Sequence, residues 1–123
     1  MPTIVHFEVP ADDVERAGKF YGALFGWTVE KAPGDFDYWF IRTADAEGEP
    51  GVGGGLMARQ HPEHRITNYV GVESVDATVA QVQELGGGVL VEKMAVPGMG
   101  WFAVCQDTEG NCFGVWQCDE NAA

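Results

Sequence analysis

Thr28-Val29-Glu30-Lys31 returns as Leu90-Val91-Glu92-Lys93, Trp39-Phe40 as Trp101-Phe102, and Asp45-Ala46-Glu47-Gly48 as Asp107-Thr108-Glu109-Gly110, each 62 positions on. Three matches at one spacing mark an internal duplication, and a duplication dictates architecture before any local element is assigned. Around each copy the apolar residues alternate, switch to helical spacing and alternate again. In the first half, Ile4 to Val9 reads as a strand. A helix follows with Val14, Ala17, Tyr21 and Leu24 inward, opened by an Asp12/Glu15 capping box and stopped at Gly26. Strands are expected at about residues 28–31, 38–43 and 52–57. The second half repeats the plan: a strand over 68–72, a Ser74 cap, a helix with Val75, Val79, Val82 and Leu85 inward, and a stop at Gly86. Strands over 89–92, 101–106 and 112–117 complete it. The expected fold class is therefore α+β, built from tandem βαβββ modules over residues 1–57 and 66–118. A polar linker, 58–65, joins them, and a frayed polar tail, 119–123, follows.

Composition narrows the function classes. The 123 residues carry a formal net charge of −12, with 46% hydrophobic residues, which is enough apolar material for a core. Such acidity repels nucleic acid and anionic membrane and favours a cationic ligand over an anionic one. No apolar run approaches the roughly 20 residues needed to span a bilayer. The first residues run straight into a strand without a basic leader, so the expected location is cytoplasmic. Cys105, Cys112 and Cys118 are odd in number and lack C-x-x-C spacing, which reads as free thiols.

His6-Phe7-Glu8-Val9 precedes a helix carrying Phe20-Tyr21 and Phe25-Gly26-Trp27. Val72-Glu73-Ser74-Val75-Asp76 leads to Leu85-Gly86-Gly87, and Asp107-Thr108-Glu109-Gly110 to Phe113-Gly114-Val115-Trp116. Together these resemble the glyoxalase and bleomycin-resistance group, the vicinal oxygen chelate superfamily that includes lactoylglutathione lyase. The resemblance implies paired modules whose sheets form an open curled sheet with a cavity, frequently completed as a homodimer. It also implies four metal-ligand positions, which fall on His6, near Gly55, on Thr67 and on Gly114. Of these only His6 retains a family ligand, and glycine offers no donor side chain. No cofactor is expected on this reading, and the metal set is none.

Strand alternation assigns the cavity face. Val5, Phe7 and Val9 form the packed set, leaving His6 and Glu8 on the other side. The same reading places Trp39, Met57, Thr67, Tyr69, Trp101, Cys112 and Trp116 inward and sends Phe102 and Val104 to the helix. An aromatic face with His6, Glu8 and Thr67 as polar handles suits an apolar or aromatic small organic molecule. The expected function is a metal-free ligand-binding protein of the glyoxalase and bleomycin-resistance type. The alternative is a divalent-metal-dependent lyase, isomerase or dioxygenase in which His6 and Glu8 anchor the ion. His61-Pro62-Glu63-His64 reads as a solvated linker, because Pro62 breaks the helical geometry a zincin signature requires.

Overall fold

The structure is a computed structural model that describes residues 2–123; Met1 lies outside the described residues. The fold is α+β, with β1 (Ile4–Ala11), α1 (Val14–Phe25), β2 (Thr28–Lys31), β3 (Tyr38–Arg42) and β4 (Gly53–Ala58), then β5 (Thr67–Gly71), α2 (Val75–Glu84), β6 (Gly88–Val96), β7 (Gly100–Gln106) and β8 (Cys112–Cys118). The chain divides into two compact units, His6–Ile66 on one hand and Thr67–Ala123 with the residues up to Val5 on the other. The strand β1 thus starts in the second unit, where the Gly71 N–H donates to the Thr3 carbonyl at 2.9 Å, and continues into the first.

Each unit is a βαβββ layer. In the first, the strand order is β2-β3-β4-β1, with β1 and β4 parallel and the other pairs antiparallel. Val9, Ala11, Ile41 and Leu56 form its buried core, against which Val14, Ala17, Tyr21, Trp27, Val29 and Trp39 pack. In the second the order is β5-β8-β7-β6, with β5 and β8 parallel. Its core is Val75, Ala103 and Val115, joined by Val72, Val79, Trp101 and Phe113.

The helix ends follow local chemistry. Asp13 caps α1 by accepting from the Arg16 N–H at 3.0 Å, one residue beyond the expected Asp12, and Gly26 closes it in the left-handed conformation. Ser74 caps α2 by accepting from the Ala77 N–H at 3.1 Å. Two expected inward residues are corrected: Leu24, in the last turn of α1, is 57% exposed, and Leu85, which caps α2 from just beyond its end, is 71% exposed. The tail is also corrected. Asp119 accepts from the Trp101 indole N–H, its own N–H bonds the Met99 carbonyl, and the Gly98 N–H donates to Ala122, leaving Ala122 5% exposed. Short polar residues tie down a turn here instead of fraying.

Candidate functional site

In the first unit the register settles which residues lie away from α1. His6 pairs with Gly53 and Glu8 with Gly55, while Tyr38 lies opposite Met57 and Phe40 opposite Gly55. Directly opposed residues share a face, so His6, Glu8, Tyr38, Phe40 and Met57 line the helix-free side. Tyr38 was not among the residues singled out from sequence. Its hydroxyl donates to Glu8 Oε2 at 3.0 Å and lies 2.7 Å from His6 Nε2. A phenol has one proton to give, and Glu8 receives it. With the phenol proton on the Glu8 side, the matching His6 tautomer is the one that carries its proton on Nε2. Burial is the main cause holding the His6 imidazole below its ordinary value of 6.5, with the Glu8 charge opposing.

This arrangement explains Gly55. A Cβ there would overlap the Tyr38 hydroxyl and ring, so only glycine lets the tyrosine lie across β4 to reach His6 and Glu8. The second unit uses the same device with other parts. Tyr69 pairs with Gly114 and covers it so closely that a Cβ would fall within the ring. Phe102 meets Tyr69 edge-on at 6.4 Å, and Trp116 lies opposite Phe102. The Trp116 indole N–H donates to Cys118 Sγ at 3.3 Å. By the same register Cys112, opposite Gln106, lies on this helix-free side with Thr67, which is buried.

His6, Glu8 and Met57 thus lie on the helix-free face of one unit, and Thr67, Tyr69, Cys112 and Trp116 on that of the other. Trp39 and Trp101 are corrected. Trp39 pairs with Leu56 and packs in the core under α1, and Trp101 packs with Val75 and Ala103 under α2. Their strands are apolar on both sides, so alternation carries no sign there. The small Ala103 and Cys105, both fully buried, mark the side that a helix can approach. Each Trp instead carries a cation, Lys31 over Trp39 at 5.8 Å and Lys93 over Trp101 at 4.4 Å. The Cys105 thiol is pushed up by burial and by the Glu92 charge, which makes it a poor nucleophile.

The residues present do not fit the four-position chelate that the resemblance implies. Gly55 and Gly114 have no donor atoms, and tyrosine rings fill the space a side chain on either would enter. Among the described residues no group of three or more His, Cys, Asp or Glu side chains is placed to hold an ion.

Comparison with known proteins agrees with the fold. A family model for the N-terminal region of bleomycin resistance protein-like proteins matches residues 3–43. The chain is 33% identical over 112 residues to a glyoxylase-like domain-containing protein of Didymella fabae, covering 88% of each. It is 30% identical over 127 residues to the anthracycline biosynthesis protein DnrV of Streptomyces peucetius, covering 90% of this chain but 45% of that protein, so it spans less than half of that relative. Among solved structures, a Streptomyces coelicolor methylmalonyl-CoA epimerase in complex with 2-nitronate-propionyl-CoA aligns with a TM-score of 0.67 at 17% identity, over 94% of this chain and 96% of that one. The chain belongs to the glyoxalase and bleomycin-resistance group, the vicinal oxygen chelate superfamily.

Proposed function

We propose that the protein binds an apolar or aromatic small organic molecule without a divalent ion, gripping it by the Glu8–Tyr38–His6 chain with Phe40 and Met57 as apolar wall. The observation that carries this reading is the tyrosine laid over Gly55: a hydroxyl held by both Glu8 and His6 stands where a fourth-strand ligand side chain would project. A fixed phenol beside aromatic and thioether surface orients a ligand with little entropy loss. The acidic chain favours a cationic probe. Titration with proflavine, a planar aromatic cation, should give saturable fluorescence quenching that EDTA leaves unchanged. Glu8→Gln should weaken it about tenfold, which is ~1.4 kcal/mol. Quenching that requires an added divalent ion, or that ignores Glu8→Gln and Tyr38→Phe alike, would overturn the reading.

A second reading is favoured by the same hydrogen bonds. A carboxylate, a phenol and an imidazole in series form a path along which a proton can move, which suits a metal-independent isomerase. Incubation with methylmalonyl-CoA in deuterium oxide without added metal tests it. Exchange at the acidic carbon that is lost in Glu8→Gln supports the reading, and no exchange retires it for that substrate.

A further inference from the structure

The acidity of the chain is locally reversed. Two of its seven basic residues and two of its three histidines, Arg59, Arg65, His61 and His64, stand within residues 58–66 beside a single carboxylate, Glu63. This segment is folded, not merely solvated. With Asp12 it borders a shallow, open pocket of about 650 Å³ lined by Asp12, Arg59, Gln60, His61, Pro62 and Arg65. The Arg59 N–H extends the β1–β4 pairing by donating to the Ala11 carbonyl at 2.9 Å. Its guanidinium donates from Nη1 to the His64 carbonyl and from Nε to Asp12 Oδ1, the latter at 3.0 Å. The Gln60 N–H donates to His64 Nδ1 at 3.2 Å, and the His61 and His64 rings stack at 5.4 Å. The loop therefore holds Arg59 in place before any ligand arrives.

We propose that this pocket is a binding site for a small oxyanion, a phosphate or a carboxylate, with Arg59 as its principal contact, Arg65 and His61 on its walls and Asp12 as a built-in competitor. A guanidinium presents paired donors that match carboxylate and phosphate oxygens. One donor of such a pair, Nε, is taken here by Asp12, whose side chain is 74% exposed while that of Arg59 is 30% exposed. An exposed pair of this kind contributes little, so an incoming anion displaces the Asp12 carboxylate at small cost. Arg59 Nη2 remains to complete a two-point contact. With two arginines against one carboxylate over residues 58–66 in a chain of net charge −12, this segment is a favourable place on the surface for an anion. None of the residues that line this pocket belongs to the Glu8–Tyr38–His6 chain.

The test is an NMR titration of the intact protein with inorganic phosphate and, separately, acetate, with sodium chloride matched for ionic strength. The expected result is a saturable shift of the Arg59 Nε–H and of the Gln60 and His61 amides with at least one of the two oxyanions and not with chloride. The anion that saturates identifies phosphate or carboxylate as the source. Asp12→Asn should tighten binding about two- to fivefold by removing the competitor. Arg59→Gln should abolish saturation, and Arg65→Gln, at a residue that is not a partner in the Arg59 hydrogen bonds to Asp12 and His64, should weaken it severalfold. A linear drift shared with chloride, or saturation that persists in Arg59→Gln, overturns the proposal. Weaker binding in Asp12→Asn does the same, because it would make Asp12 a support and not a competitor.

Discussion

The two units share a backbone plan and diverge on one face. In both, the first and last strands pair in parallel and a helix covers one side. The loop before the last strand is also built twice. Asp45 accepts from the Glu47 and Glu49 N–H groups at 2.9 and 3.0 Å, and Asp107 from those of Glu109 and Asn111 at 2.8 and 2.9 Å. Gly48 and Gly110 both sit at φ 84°, a conformation that favours glycine. Away from the helices the likeness ends. One unit presents His6, Glu8 and Tyr38, while the other presents Tyr69, Phe102 and Trp116. Both lay a tyrosine over a last-strand glycine, but Tyr38 comes from β3 and Tyr69 from β5. Turns and helix contacts constrain the backbone, whereas the helix-free face is open to different chemistry on the same frame.

The comparison can be broken most forcefully at the glycines. Gly55→Val and Gly114→Val should each cost about 3 kcal/mol in urea unfolding, since each drives a Cβ into a tyrosine ring. Adding Tyr38→Ala should restore part of the loss in the first and none in the second. Rescue of both by Tyr38→Ala would mean that the two tyrosine–glycine pairs are not separate devices. Leu56→Ala, at a fully buried position under α1, should cost a comparable 2–4 kcal/mol or so.

A smaller effect separates the units by pH. Because burial holds folded His6 below its ordinary 6.5, the unfolded chain takes up that proton first as pH falls. The stability tied to neutral His6 is complete above 6.5 and is lost as pH falls toward and through the lowered folded value. Urea midpoints should therefore drop on acidification, and His6→Gln should flatten that slope; an unchanged slope would remove His6 from the account. Smallest are the helix caps. Asp13→Ala and Ser74→Ala should each cost about 1 kcal/mol, nearly equally in the two units. A gap larger than the cap energy itself would show that the two helix starts are not equivalent.

Much of this was legible in residue order, because much of it is local. The repeat spacing, both βαβββ units, the Ser74 cap, the Gly26 stop and the paired Asp loops depend on residues within a few positions of one another. His6 and Glu8 could be placed on one face because β1 alternates between polar and apolar residues, and Met57 because it alternates with Val52 and Leu56. Tyr38-Trp39-Phe40-Ile41 and Trp101-Phe102-Ala103-Val104 do not alternate, so their two faces could not be told apart by polarity. The run of glycines at 53–55 beside a strand with a tyrosine was the available sign of Tyr38. It became readable only with the strand register that sets Phe40 against Gly55 and Tyr38 against Met57.

By itself, then, the amino-acid order determined the duplicated topology, the turns and the polar residues of the first strand, all of which rest on short-range hydrogen bonding and periodicity. Tertiary structure alone decided that Trp39 and Trp101 belong under the helices, that Tyr38 joins Glu8 to His6, and that Arg59 meets Asp12 across 47 residues of chain. Those outcomes depend on which side chains fit beneath a helix and which distant strands lie in register, and packing is settled only when the whole layer closes.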